Sequence, residues 1–233
     1  MRVEIKGELK EAKFINRINR FIGEIEIDGV IHKTHVANTG RMRELLTPGA
    51  KIIVRYVEQD NRKTNYDLLM VYHNGILVSI DSKLPNFLLE KALIENHIPQ
   101  FHNYKDVKRE VTFGRSRFDL FVHNGKNAAF IETKCVTYVR QDGIASFPDA
   151  PTERGTKHVL ELIDVMGEGM RGAVFFIIQR EDAIAFTPNH NMDPKFAEAV
   201  LKAYQEGVEF YAYICKVTAN EIKLVKEVPI QYT

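Results

Sequence analysis

The sequence predicts an α/β protein: an all-β N-terminal domain, read as a five-stranded barrel over residues 1–82, followed by a domain over 83–233 that runs α-β-β-β-α-β. Three observations carry this reading. Residues 1–80 break into short strands at Asp28-Gly29, Asn38-Thr39-Gly40, Pro48-Gly49 and Asn74-Gly75, each a turn signal. From about residue 84 the apolar spacing turns helical and then alternates with strands. Between Ser116 and Lys134, two apolar runs flank Asn124-Gly125, a strong short-range hairpin signal.

In the first domain, Lys13–Ile27 reads as one long strand with a bend or bulge at Gly23. Val30–Val36 and Lys51–Val57 are strands, and Arg41–Leu46 makes one or two helical turns. Tyr66–Ile80 is a hairpin with Asn74-Gly75 at its tip. Five strands with a bent first strand fit an OB-type barrel. In the second domain, Leu84–Asn96 carries Leu88, Leu89, Ala92 and Leu93 on one stripe of a helix. Strands follow at Lys105–Phe113, Arg115–Val122 and Ala128–Thr137, and Arg140–Phe147 reads as a polar loop. Glu153–Glu168 is a helix, Ala173–Ile178 a buried central strand, and Asp193-Pro194 opens a helix ending at Gly207. Val208–Val217 closes the domain as a strand.

The 233 residues are 45% hydrophobic, ordinary for a globular chain with a sizeable core. No apolar run is long enough for a membrane helix, and the N-terminus lacks the apolar centre of a signal peptide, so a cytoplasmic location is expected. Two cysteines, Cys135 and Cys215, make neither a disulfide framework nor a zinc site. Net charge is +1, but residues 10–63 hold 11 Lys/Arg against 7 Asp/Glu. That local excess of cations suits a polyanionic partner.

With Asn124-Gly125 at the centre of the turn, Asp119 falls opposite Phe130. Side chains alternate with a period of two, so Glu132 and Lys134 share the Asp119 face. Diagonal neighbours across such a pair lie roughly 7–8 Å apart, close enough for two carboxylates to converge on one hard cation beside an ammonium. Taken alone, such a triplet is far more often the wet face of an ordinary strand. The flanking pattern favours a site: Phe118, Leu120, Val122, Ile131 and Thr133 form a mostly apolar opposite face, and Phe121 and Phe130 stand among the charges. Carboxylates and ammonium so placed are suited to Mg²⁺- or Mn²⁺-assisted phosphodiester hydrolysis, with Asp119 and Glu132 as metal carboxylates and Lys134 acting on the attacking water or the transition state.

The α-β-β-β-α-β order with Asp119 and Glu132-Thr133-Lys134 on successive strands resembles the PD-(D/E)XK nuclease core, although Phe118 stands where that signature has Pro. A broader resemblance covers nearly the whole chain. Asn38-Thr39-Gly40, Arg115–Asp119, Glu132–Lys134 and Phe147–His158 resemble the sugar fermentation stimulation protein A family. The resemblance implies an OB-like N-terminal domain, a restriction-endonuclease-like C-terminal domain, DNA binding and a link to maltose metabolism. It also implies the Thr133 carbonyl as a further metal ligand, and Glu95 as an added carboxylate where related nucleases carry one on the first helix.

Other residues are weighed one by one. Glu110 is an accessory carboxylate or the partner of Arg109 or Arg117. Arg154 and Lys157 are placed to hold phosphate, and His158 is a proton relay or a plain helix-face histidine. Arg17, Arg20, Arg41, Arg43, Arg62, Lys63, Arg115 and Arg117 are DNA-backbone candidates, and Phe21 and Tyr66 either stack bases or belong to the core. Two principal readings follow: a DNA-binding, metal-dependent nuclease, or a non-cleaving DNA-binding regulator of sugar metabolism that keeps the nuclease core as scaffold. A small-molecule binding protein acting on sugar metabolism is a third. The sequence specifies no strand preference and no oligomeric state, a homodimer included.

Overall fold

In the computed structural model, which describes residues 1–58 and 62–232, the described residues form two large sheets joined through shared packing and one two-stranded sheet. The first is the expected barrel. Its strands are β2 (Glu8–Arg17), β3 (Ile22–Ile27), β4 (Val30–Val36), β5 (Lys51–Tyr56) and β6 (Tyr66–His73), hydrogen-bonded in the order β4-β3-β2-β5-β6. A parallel pairing of β4 with β6 closes it, and β7 (Ile76–Ser79) adds to β6. Phe14, Ile25, Val36, Ile52, Val54 and Leu68 fill its interior. This is an OB-type barrel.

One element departs from the expected pattern there. Lys13–Ile27 is not a single strand bent at Gly23 but a hairpin of β2 and β3. The Asn19 side-chain oxygen accepts from the Phe21 and Ile22 N–H groups and folds the tip. The bulge lies in β2 between Phe14 and Asn16. Gly23 permits close approach instead: a Cβ there would stand 3.1 Å from the Phe14 ring.

The second sheet has seven strands, β1 (Arg2–Glu4), β15 (Glu221–Val228), β14 (Glu209–Val217), β12 (Arg171–Ile178), β10 (Ala128–Val136), β9 (Ser116–His123) and β8 (Asp106–Phe113), in that spatial order. β12 runs parallel to β10 and β14, and its continuous apolar run is buried on both faces. Helix α1 (Leu84–Ile94) covers one face; α2 (Glu153–Gly167) and α3 (Pro194–Gln205) cover the other. The order α1-β8-β9-β10-α2-β12 is the expected restriction-endonuclease-like core. Three strands escaped the sequence reading. β15 alternates with charged residues on its open face, and the supposed loop 140–147 ends in β11 (Ile144–Phe147), which pairs with β13 (Ala185–Pro188). β1, within the stretch expected to be barrel, pairs with β15 in the larger sheet.

The two halves are tied together at their junction. Ile53, Leu69 and Met70 of the barrel join the apolar cluster beneath α1. Gln179, fully buried, bonds to the Ser79 hydroxyl, the Asp81 carbonyl and the Cys135 sulfur. No helix among the described residues is long and apolar enough to cross a membrane.

Candidate functional site

The β9–β10 hairpin turns through four residues, Asn124 to Asn127, with the Asn124 side chain accepting from the Lys126 and Asn127 N–H groups. Phe130 therefore pairs with Phe121, not with Asp119. The register moves by two residues, which keeps the facing of each side chain, and sets Asp119 level with Glu132 instead of diagonal to it. The ladder stops at Leu120–Ile131. Beyond it the Thr133 N–H donates to Asp119 Oδ2 at 2.8 Å, and Asn86 on α1 donates to Oδ1 at 2.8 Å. Asp119 also breaks the expected alternation: Leu120 and Val122 pack beneath α1, whereas Phe118 packs with Phe130 beneath α2.

Glu132 is 4% exposed and central. Its Oε1 accepts from Lys134 Nζ at 2.6 Å and lies 2.7 Å from His158 Nδ1 on α2. Arg154, one turn earlier on the same helix, donates to His158 Nε2 at 3.4 Å, so Nδ1 is the side that carries the proton toward Glu132. Glu132 Oε2 is buried with no hydrogen-bond partner. Burial, then the neighbouring Glu132 charge, pushes the Asp119 carboxyl up to about 6. Burial acts upward on Glu132 as well, but Lys134 and His158 outweigh it and hold that carboxyl below its ordinary value. One carboxylate is thus charge-compensated and the other is not. An acidic pair with an orphaned buried oxygen is a donor set that a divalent cation fits, since it would neutralise the repulsion and bond the unpartnered atom.

This centre lies in a cleft of about 1000 Å³ between the two sheets. The barrel wall contributes Arg17, Arg20, Arg41 and Arg43; the opposite wall contributes Asp119, Glu132, Thr133, Lys134 and Arg154. Asp149, in the segment before α2, reaches across to accept from the Met42 N–H. Gly40 permits this approach, since a Cβ would stand 2.5 Å from Asp149 Oδ2.

Models of two domains match the chain: the sugar fermentation stimulation protein RE domain over residues 83–221 and the SfsA N-terminal OB domain over 15–80. The chain belongs to the sugar fermentation stimulation protein family. Relatives of that name include one from Alkaliphilus metalliredigens, 55% identical over 99% of this chain and the whole of the relative. Another, from Desulforamulus reducens, is 46% identical over 96% of this chain and 93% of the relative. The SfsA of Pyrococcus furiosus, solved in complex with Ca²⁺, superposes with a TM-score of 0.90 at 31% identity over 98% of both chains.

Within this family member the expected site residues separate into groups. Asp119, Glu132, Thr133, Lys134, Arg154 and His158 come together. Lys157 points elsewhere, donating to the Arg115 carbonyl and pairing with Glu161. Glu95 caps the C-terminal end of α1, paired with Lys91 and His97, outside the cleft lining. Glu110 pairs with Arg117 at 3.5 Å, both exposed on the outer strands. Arg115 and Arg117 also lie off the cleft lining. Arg17 lines it, yet its guanidinium donates to the carbonyls of Arg20, Asn38, Gly40 and Arg41, holding two loops together. Arg20, Arg41 and Arg43 are exposed, with no ion-pair partner among the described residues. Arg62 is paired with Asp67, and Tyr66 is packed in the barrel core against His32 and Tyr56; Phe21 is half exposed. Cys135, partly buried at the cleft lining, accepts at its sulfur from Gln179, and desolvation pushes its thiol up to about 12. Asn86 and Asp149 were missed. Asn86 carries no sequence signal beyond its place in the first turn of α1, while Asp149 sits within the Phe147–His158 motif.

Proposed function

We propose that this chain is a DNA-binding protein with a Mg²⁺- or Mn²⁺-dependent phosphodiesterase centre in the interdomain cleft. The observation that carries the reading is the orphaned Glu132 Oε2 beside an Asp119 whose carboxyl is raised to about 6, with an ammonium 2.6 Å from the same glutamate. Asp119, Glu132 and the Thr133 carbonyl would hold the ion. No group of three or more acidic, His or Cys side chains arranged for a metal exists among the described residues, so water and substrate phosphate would complete its shell. When bound, the ion supplies charge neutralisation at the phosphoryl oxygens and a more acidic water. A related chain of known structure is described in complex with Ca²⁺, which agrees with a hard-cation site in this family.

The chain's own residues divide the remaining work. Thr133 N–H and Asn86 orient the Asp119 carboxylate. His158 pins Glu132 Oε1 from the helix side, and the unpartnered Oε2 would be the oxygen that holds the ion. Lys134, 11% exposed, is placed to stabilise charge that develops on the phosphate and to orient the attacking water. Arg20, Arg41, Arg43 and Arg154 attract and hold the polyanion along the cleft.

The test is a calorimetric titration of Mg²⁺ and Mn²⁺ into wild type, Asp119→Ala and Glu132→Ala. Weak binding by wild type that both variants lose supports the site. Equal binding by all three would remove both carboxylates from it.

A further inference from the structure

The cleft does not end at the carboxylates. A second cavity of about 850 Å³ adjoins it, and Arg41, Arg43, Tyr138, Ser146 and Asp149 line both. Shared lining makes the two one continuous trough. Tyr138 stands at the junction, four residues beyond Lys134, with its main chain pinned by a hydrogen bond from the Ser146 N–H to its carbonyl. Its ring is partly exposed. Among the described residues that ring contacts no other aromatic, and its hydroxyl makes no hydrogen bond. Past Tyr138 the trough gains Arg140, which is paired with Asp142, and His190. Of its acids, Asp149 is held by the Met42 N–H, and burial raises the Glu44 carboxyl.

The geometry points to a single-stranded nucleic acid as the occupant of this trough, one strand running from the Asp119–Glu132 centre across Tyr138 into the second cavity. A base lies on the Tyr138 ring and phosphates meet Arg41 and Arg43. This rests on the nucleic-acid reading above and adds the strandedness of the ligand. Two features select a single strand. Glu132 is recessed at 4% exposure, between walls that meet at Gly40 and Asp149. A free ring at the junction has a use for an unstacked base, which a duplex does not offer without flipping one out. Unpaired exposed arginines along one flank, beside an aromatic, are the usual combination for sequence-tolerant single-strand binding.

Fluorescence anisotropy in EDTA, where the metal-dependent step is blocked, tests this with labelled oligothymidine and oligouridine of about 12 nucleotides and a blunt duplex of the same length. Wild type binds the single strands in preference to the duplex, and comparison of the two sugars assigns DNA or RNA. Tyr138→Ala weakens single-strand binding about tenfold, and Tyr138→Phe restores it. Circular dichroism and thermal melting verify that both variants are folded. Unchanged single-strand affinity in Tyr138→Ala overturns the proposal, as does duplex-only binding by wild type; either leaves the nucleic-acid reading standing. A wild type that binds none of the three ligands overturns that reading and the proposal with it.

Discussion

On the barrel wall of the cleft, Arg20, Arg41 and Arg43 stand exposed with no ion-pair partner among the described residues. On the sheet wall facing them, Glu132, Lys134 and His158 are recessed and bonded to one another, and Asp119 is bonded to Asn86 and Thr133. Solvated cations cost the fold little and act at long range, which suits capture of a polyanion. Buried charges are expensive, and each perturbs its neighbour, which suits chemistry at one phosphate. Substitutions on the two walls should therefore differ in kind: stability and pH dependence on the sheet wall, salt dependence on the barrel wall.

The largest effect is expected at Glu132. Glu132→Ala strips Lys134 and His158 of their shared partner in a buried site, and unfolding in urea should show a loss of about 3 kcal/mol. A loss under about 0.5 kcal/mol, the size of an ordinary surface substitution, would mean that the sheet wall is no more coupled than the barrel wall.

Asp119 should behave in the opposite sense. Its carboxyl is raised to about 6, against about 3.9 in an unfolded chain. The native state holds that proton more tightly, so its stabilising contribution is full below about pH 4 and is lost as pH rises through 6. Asp119→Asn removes this loss, with Asn86 free to rotate its amide toward the new side chain. The variant should match wild type near pH 4 and exceed it at pH 7 by on the order of 2 kcal/mol. Equal pH dependence in the two proteins would show that the Asp119 carboxyl is not raised by burial and the Glu132 charge.

On the barrel wall the expected change is smaller and leaves stability alone. Arg43→Ala should lower the slope of log K against log salt for DNA by about 0.7–0.9 with an unchanged melting curve. Arg17 is the internal contrast: it holds the carbonyls of Asn38 and Gly40, so its loss would damage the loop as well as the charge.

What was legible in the sequence follows the range of the interactions. The hairpin and its Asn-Gly tip depend on a pattern within nineteen residues, and Glu132 and Lys134 kept their shared facing through the two-residue change of register, but the alternation broke at Asp119, between Phe118 and Leu120. Most of the barrel was legible from its Gly-containing turns, but the β2–β3 turn, folded by the Asn19 side chain without a glycine, was not. The meeting of Asp149 with Met42 was not, because 107 residues separate them and only the docking of two halves brings them together. Nor was the role of Arg17. A guanidinium's ion-pair partners can be guessed from composition, but carbonyl acceptors come from every residue and leave no mark on sequence. Tyr66 shows the same limit: its place in the barrel core depends on β4 closing against β6. Glu95 followed the pattern of a nuclease helix, but α1 brings Asn86, not Glu95, to Asp119.

The most direct measurement is cleavage of single- and double-stranded DNA by the pure protein, with Mg²⁺ or Mn²⁺ against EDTA, run beside Lys134→Ala. Wild type should cut only with metal, and Lys134→Ala should lose cutting while keeping DNA affinity, because the ammonium acts on the transition state. Cutting by Lys134→Ala at the wild-type rate would contradict the account. So would a wild type that binds metal and DNA yet cuts neither substrate, which would favour a non-cleaving regulator built on the same core.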